Sequence, residues 1–145
     1  MKYFTFLLPV LFLLSSCEVK TQPLNYGKDA CQYCKMSIMD KKFGAEIITV
    51  KGKIYKFDSA ECMIRFVKNA NVVQLNDIES YWVADFSQQG NLINAKDAFY
   101  LHSLSLPSPM GGFLTAFSSE NELNKIKANN NGDVWSWQQA FEQMK

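Results

Sequence analysis

The chain has 145 residues, 48% of them hydrophobic and 14% aromatic, with a formal net charge of +1. That size sustains one compact domain with a real core rather than two, and the aromatic content supplies enough apolar surface to offset the entropy of ordering, which excludes a disordered chain. Near-zero charge, with acidic and basic residues interspersed, excludes an electrostatic case for nucleic acid as a partner.

The N-terminus comes first. Met1-Lys2 supplies a positive charge, and Tyr3 to Leu14 is an apolar run too short to span a bilayer as a finished helix. That is the anatomy of a secretory signal peptide, expected over 1–16. It ends in Leu14-Ser15-Ser16-Cys17, which resembles the bacterial lipobox, with Cys17 as the acylated residue. Acyl chains such as palmitate each contribute roughly 0.8 kcal/mol per buried methylene, so several anchor the protein stably. Glu18 stands where an aspartate would favour retention in the inner membrane, so the outer membrane, on its periplasmic side, is favoured. Residues 17–30 are polar, without periodicity, and read as a lipidated cysteine and flexible tether able to extend about 40 Å. The folded domain is expected over 31–145.

Ala45 to Val50 is apolar and β-branched, Lys51-Gly52 is a turn, and Lys53 to Phe57 alternates. This is a hairpin signature. Asp58 is placed to cap a helix, Glu61 to complete its capping box, and Cys62, Met63, Phe66 and Val67 recur at helical spacing up to about Asn69–Asn71. Tyr81 to Phe86 reads as a strand, with a turn at Gln88–Asn91 leading into Leu92-Ile93. The second half echoes the first: a strand over Ala98–Leu104, a Pro/Gly loop over Pro107–Gly112, a strand over Phe113–Phe117, and a helix capped at Ser118-Ser119 with Glu122 in the capping-box place. A short strand at Val134-Trp135 and a helical turn over Gln138–Met144 close the chain. Phe57-Asp58-Ser59 and Phe117-Ser118-Ser119 occupy the same strand-to-helix junction. The expected fold is α+β, two related ββα(β) units packed as one domain.

Setting Cys17 aside, three cysteines remain, and an odd number in an oxidising compartment implies a thiol kept for chemistry. The informative stretch is Cys31-Gln32-Tyr33-Cys34-Lys35-Met36. Thiols at i and i+3 can point at one centre, with a thioether two residues on. Polarizable sulfur prefers soft cations, Cu(I) above all, and thioether tolerates an oxidising compartment. Met110, in a Pro/Gly loop, is a further sulfur source, and Cys62 sits one turn into the expected helix, where Met63 reads as core. His102, the lone histidine, reads as structural, and Asp58 is accounted for by its cap. Two other readings use the same residues. One is a structural zinc site from Cys31, Cys34, Cys62 and His102; the other is a thiol–disulfide oxidoreductase working through Cys31 and Cys34. Paired catalytic carboxylates, a phosphate-binding glycine loop and a Ser/His/Asp set are absent from the pattern, so enzymatic turnover has no other candidate.

Cys-x-x-Cys-x-Met with Ile38 and Asp40, then Phe57-Asp58 with Cys62-Met63, then Ser108-Pro109-Met110-Gly111-Gly112, resembles the NosL family of copper-binding lipoproteins. The resemblance implies two ββαβ units similar to the mercury–carbon lyase MerB, without its activity. It implies delivery of Cu(I) to nitrous oxide reductase in denitrifying cells; the protein itself is expected to be a monomer or weak dimer. Its ligands would fall on Cys34, Met36 and Met110, with Cys31 and Cys62 as further candidates. One departure is Lys35, where many members have glycine, and it bears on the tightness of that turn.

Overall fold

The computed structural model describes residues 20–145. The expected signal peptide and the acylation site at Cys17 lie outside the described residues. Among the described residues, no helix is long and apolar enough to cross a membrane.

The chain runs β1 (Ala45–Thr49), β2 (Ile54–Phe57), α1 (Ala60–Asn69), β3 (Ile78–Ala84), β4 (Leu92–Asn94), β5 (Phe99–His102), β6 (Leu114–Phe117), α2 (Glu120–Lys127), β7 (Asp133–Trp135) and α3 (Trp137–Gln143). The strands form two antiparallel sheets, ordered β2-β1-β3-β4 and β6-β5-β7. In each, the first strand of a hairpin lies between its hairpin partner and the strand that returns after a helix. The ββαβ unit is therefore repeated strand for strand, with β4 as an added edge. Phe57 and Phe117 end equivalent strands, and Ser59 and Ser119 cap the helices that follow.

Both faces of β1 are covered, so all five of its residues are buried. Ala45 and Ile47 enter the main core. Glu46 points the other way by strand alternation and accepts a hydrogen bond from the Gln22 amide at 3.1 Å. That face is closed by the segment expected to be a free tether. From Gln22 onward the segment is instead strapped to the body: Leu24 is buried, Lys56 Nζ donates to the Pro23 carbonyl at 2.9 Å, and Lys56 pairs with Asp29 at 2.8 Å. Gly44 makes room for the strap, since a Cβ there would collide with Leu24 Cδ1. The packed body thus begins before Ala30. A polar composition hid this, because the strap is held by one ion pair, a few hydrogen bonds and one leucine rather than by periodic apolar residues.

Helix α1 joins the two halves. It packs on β1 and β2 and touches β6 of the second sheet. Phe66 is wedged against Tyr55 and Phe57, with ring centroids 5.1 and 5.2 Å away. Tyr100 and Leu114 of the second unit join the same core, while Leu101, Phe117 and Leu123 form a smaller cluster beneath α2. β3 starts earlier and ends earlier than expected, pairing Ile78 with Thr49 across a bulge; Asp85 then leaves the strand, buried, to accept a hydrogen bond from Ser118 at 2.5 Å. In α2, Glu122 does not close a capping box but pairs with Lys125 at 2.6 Å. The capping box is at α3, between Ser136 and Gln139.

Candidate metal centre

Cys31 and Cys34 lie on a tight turn closed by an Ala30–Ser37 bridge, by the Cys31 amide donating to the Met36 carbonyl at 2.8 Å, and by the Lys35 amide donating to the Cys31 carbonyl at 3.0 Å. The Gln32 amide donates to the Lys56 carbonyl at 2.8 Å. The turn is thereby docked on β2, one residue before that strand ends at Phe57. Asp58 follows, and then α1 with Cys62 in its first turn. The strand-to-helix junction thus delivers Asp58 and Cys62 to the place where the docked turn holds Cys31 and Cys34. The three sulfur atoms and an Asp58 carboxylate oxygen all lie within 4.8 Å of one another.

Within the cluster, Cys34 Sγ donates to Asp58 Oδ2 at 3.3 Å. Cys31 and Cys62 are fully buried and Asp58 nearly so, whereas Cys34 is only half-buried and is the member that an incoming group meets first. A hydrogen bond from the Cys62 thiol is the largest influence on Cys31, outweighing burial with help from backbone amides, and lowers its pKa to about 6. Cys62, the donor in that pair, is pushed up by the same bond and by burial. Burial raises Cys34 to about 11. One thiolate therefore forms readily, stabilised by its neighbours, as the starting donor for a cation.

Asp58 is where the sequence reading is corrected. The cap of α1 is Ser59, whose side chain accepts from the Cys62 amide at 3.3 Å, and Asp58 is left free to face the sulfur atoms. Two cap-competent residues in succession were the available signal, because a helix uses only one of them. Glu61 is no capping-box partner either. It is fully buried, and its Oε1 accepts from Ser108 Oγ and, at 3.2 Å, from the Gly112 amide. Burial raises its pKa.

Three of the four residues weighed as a zinc set, Cys31, Cys34 and Cys62, are brought together. The fourth place is taken by Asp58. His102 lies on β5 in the other sheet, its ring stacked on Trp135 at 4.3 Å. Met63 is buried core, as its helical spacing implied. Met36 is 60% exposed at the outer edge of the cysteine turn. Met110 is half-buried against the main core, in the loop that Glu61 grips.

The turn also bears on Lys35. Its φ of +67° is left-handed, a conformation that costs a non-glycine residue roughly 1–2 kcal/mol. Its ammonium offsets part of that by donating to the Gln32 carbonyl at 2.6 Å. Lys35→Gly is therefore expected to stabilise the fold by about 0.5–1 kcal/mol after the added freedom of the unfolded chain is counted, read as a higher urea midpoint at unchanged slope. An unchanged or lower midpoint would show that the turn is not strained.

The NosL family model matches residues 25–144. Among solved structures, the crystal structure of the copper chaperone NosL from Shewanella denitrificans superposes with a TM-score of 0.70 at 20% identity, covering 83% of this chain and 95% of that one. Among curated proteins no sequence match is found.

Proposed function

We infer the function from one premise: the chain belongs to the NosL family, whose model spans residues 25–144. On that footing it is a membrane-anchored, extracytoplasmic carrier of Cu(I), which passes the ion to nitrous oxide reductase while that enzyme's copper centres are assembled. Support for the cargo comes from the donor set. Three thiols converge from two stretches of chain, residues 31–34 and 62, and soft, low-coordinate Cu(I) is the cation such a set suits. The S. denitrificans protein of similar structure is itself a copper chaperone. Met36 and Met110 add thioether donors on segments tied to the cluster, Met36 through the cysteine turn and Met110 through the loop gripped beside Cys62. The anchor is Cys17, acylated after removal of residues 1–16, and incorporation of labelled palmitate that is lost in Cys17→Ser tests it.

Release follows from the uneven burial of the set. An acceptor sulfur approaches on the side of half-buried Cys34, shares the ion, and displaces the donors one at a time. The ion never passes through water. No electron is transferred, so Cu(I) leaves in the state in which it arrived.

The test is a titration of the purified, reduced protein with Cu(I) and with Zn(II). One Cu(I) is expected to bind with only sulfur neighbours in its x-ray absorption spectrum. Asp58 serves to separate the two metals, because a carboxylate is a good donor to Zn(II) and a poor one to Cu(I). In Asp58→Ala, Zn(II) affinity is expected to drop by about 100-fold or more and Cu(I) affinity by less than about tenfold, the scale on which loss of a neighbouring group weakens a metal site. Zn(II) binding competitive with Cu(I) in the parent protein would favour the structural-zinc reading, and equal losses in Asp58→Ala would show that Asp58 acts on the fold of the site rather than as a donor to Zn(II).

A further inference from the structure

The loop that carries Met110 is held at both flanks by a single carboxyl oxygen. Glu61 Oε1 accepts from Ser108 Oγ, two residues before Met110, and from the Gly112 amide, two residues after it, at 3.2 Å. Ser108 Oγ in turn accepts from the Phe113 amide at 2.8 Å. Phe113 has φ of +56°, a left-handed conformation that is an outlier for so bulky a residue. Backbone strain of that kind persists only where surrounding contacts enforce it. A Cβ on Gly112 would stand 2.7 Å from Glu61 Cγ, so the loop is fitted closely around this side chain.

Two facts argue that the grip serves Met110 rather than the fold. Glu61 is the residue before Cys62, in the first turn of α1, so whatever it holds is held in register with one of the clustered thiols. And a buried carboxylate is a costly way to stabilise a helix that Ser59 already caps. Gly111, with φ of +65° and open space around it, leaves the loop free to move once the grip is gone.

We propose that Glu61 is a positioning residue: through Ser108 and Gly112 it sets the Met110 thioether against the cysteine cluster. This rests on the reading above, in which Met110 is a ligand to the cargo ion. The experiment compares Cu(I) affinity, by competition with a chromophoric Cu(I) chelator, and sulfur neighbours, by x-ray absorption, in Met110→Ala, Glu61→Ala, Glu61→Gln and Ser108→Ala. Glu61→Ala is expected to bind Cu(I) roughly 10- to 100-fold more weakly, as loss of a group that orients a ligand does, Met110→Ala at least as weakly, and each to lose one sulfur neighbour. The double variant is expected to be no weaker than Met110→Ala alone. Glu61→Gln, which keeps an acceptor oxygen, is expected to retain the wild-type spectrum. Should Glu61→Ala fail to fold by circular dichroism, Ser108→Ala opens the same grip from the loop side. An effect of Met110→Ala, with Glu61→Ala or Ser108→Ala keeping the full sulfur count, would overturn the positioning role alone. No effect of Met110→Ala would remove Met110 from the ligand set and the proposal with it.

Discussion

Cys34→Ser is expected to weaken Cu(I) binding by about 100-fold or more, while His102→Ala leaves it within about twofold. The asymmetry follows from position. Cys34 is one of three sulfurs within 4.8 Å of one another and the one that reaches solvent. Serine keeps the shape but substitutes a hard hydroxyl that Cu(I) binds poorly. It also keeps a donor for Asp58 Oδ2, so the fold is expected to stand. His102 spends its ring on Trp135 in the other sheet, and it is not a member of the Cys31–Cys34–Asp58–Cys62 group. Chelator competition on the two purified variants checks both halves at once. Equal retention of Cu(I) by Cys34→Ser and His102→Ala would defeat the assignment of the centre.

The largest effect on stability is expected at Phe66. Its side chain is 2% exposed and lies between Tyr55 and Phe57. Truncation to alanine removes a buried ring whose space the sheet cannot collapse to fill, at a cost of about 3–5 kcal/mol. Against a total stability of roughly 5–15 kcal/mol for a domain of this kind, that is a large share. The same helix carries Glu61 and Cys62, so loosening α1 is expected to lower the fraction of protein competent to bind Cu(I) at moderate urea, where the parent protein still binds. Urea unfolding followed by tryptophan fluorescence measures the first effect. A shift below about 1 kcal/mol would mean that the Phe66 ring is not what holds α1 on the first sheet.

Much of this architecture was written in local pattern. The β1–β2 hairpin is legible because Lys51-Gly52 interrupts two β-branched runs, and Gly52 does adopt φ of +77°. The repeat is legible from Phe-x-Ser at two strand-to-helix junctions, and both serines prove to be caps. Lys35 is legible as an oddity once a glycine is expected there. What escaped was non-local. Asp58 looks like a cap because capping is a sequence-neighbour property, whereas its approach to Cys34 depends on a turn 24 residues earlier. Glu61 and Ser108 are 47 residues apart, and no periodicity links them. The strap over β1 escaped for a related reason: its hold depends on Glu46 and Lys56, which belong to the strands it crosses.

On the proposed acylation, that strap would set how far the protein can operate from its attachment. With acylation at Cys17, four residues lie between the lipidated cysteine and the first clamped amide at Gln22, five Cα steps that span at most about 18 Å when fully drawn out. The body is then moored close to the bilayer instead of sweeping a wide volume. On the proposed anchoring, a client would have to come to the lipid surface to collect its ion, and lengthening the mooring with an inserted glycine–serine stretch is expected to widen the zone in which exchange occurs.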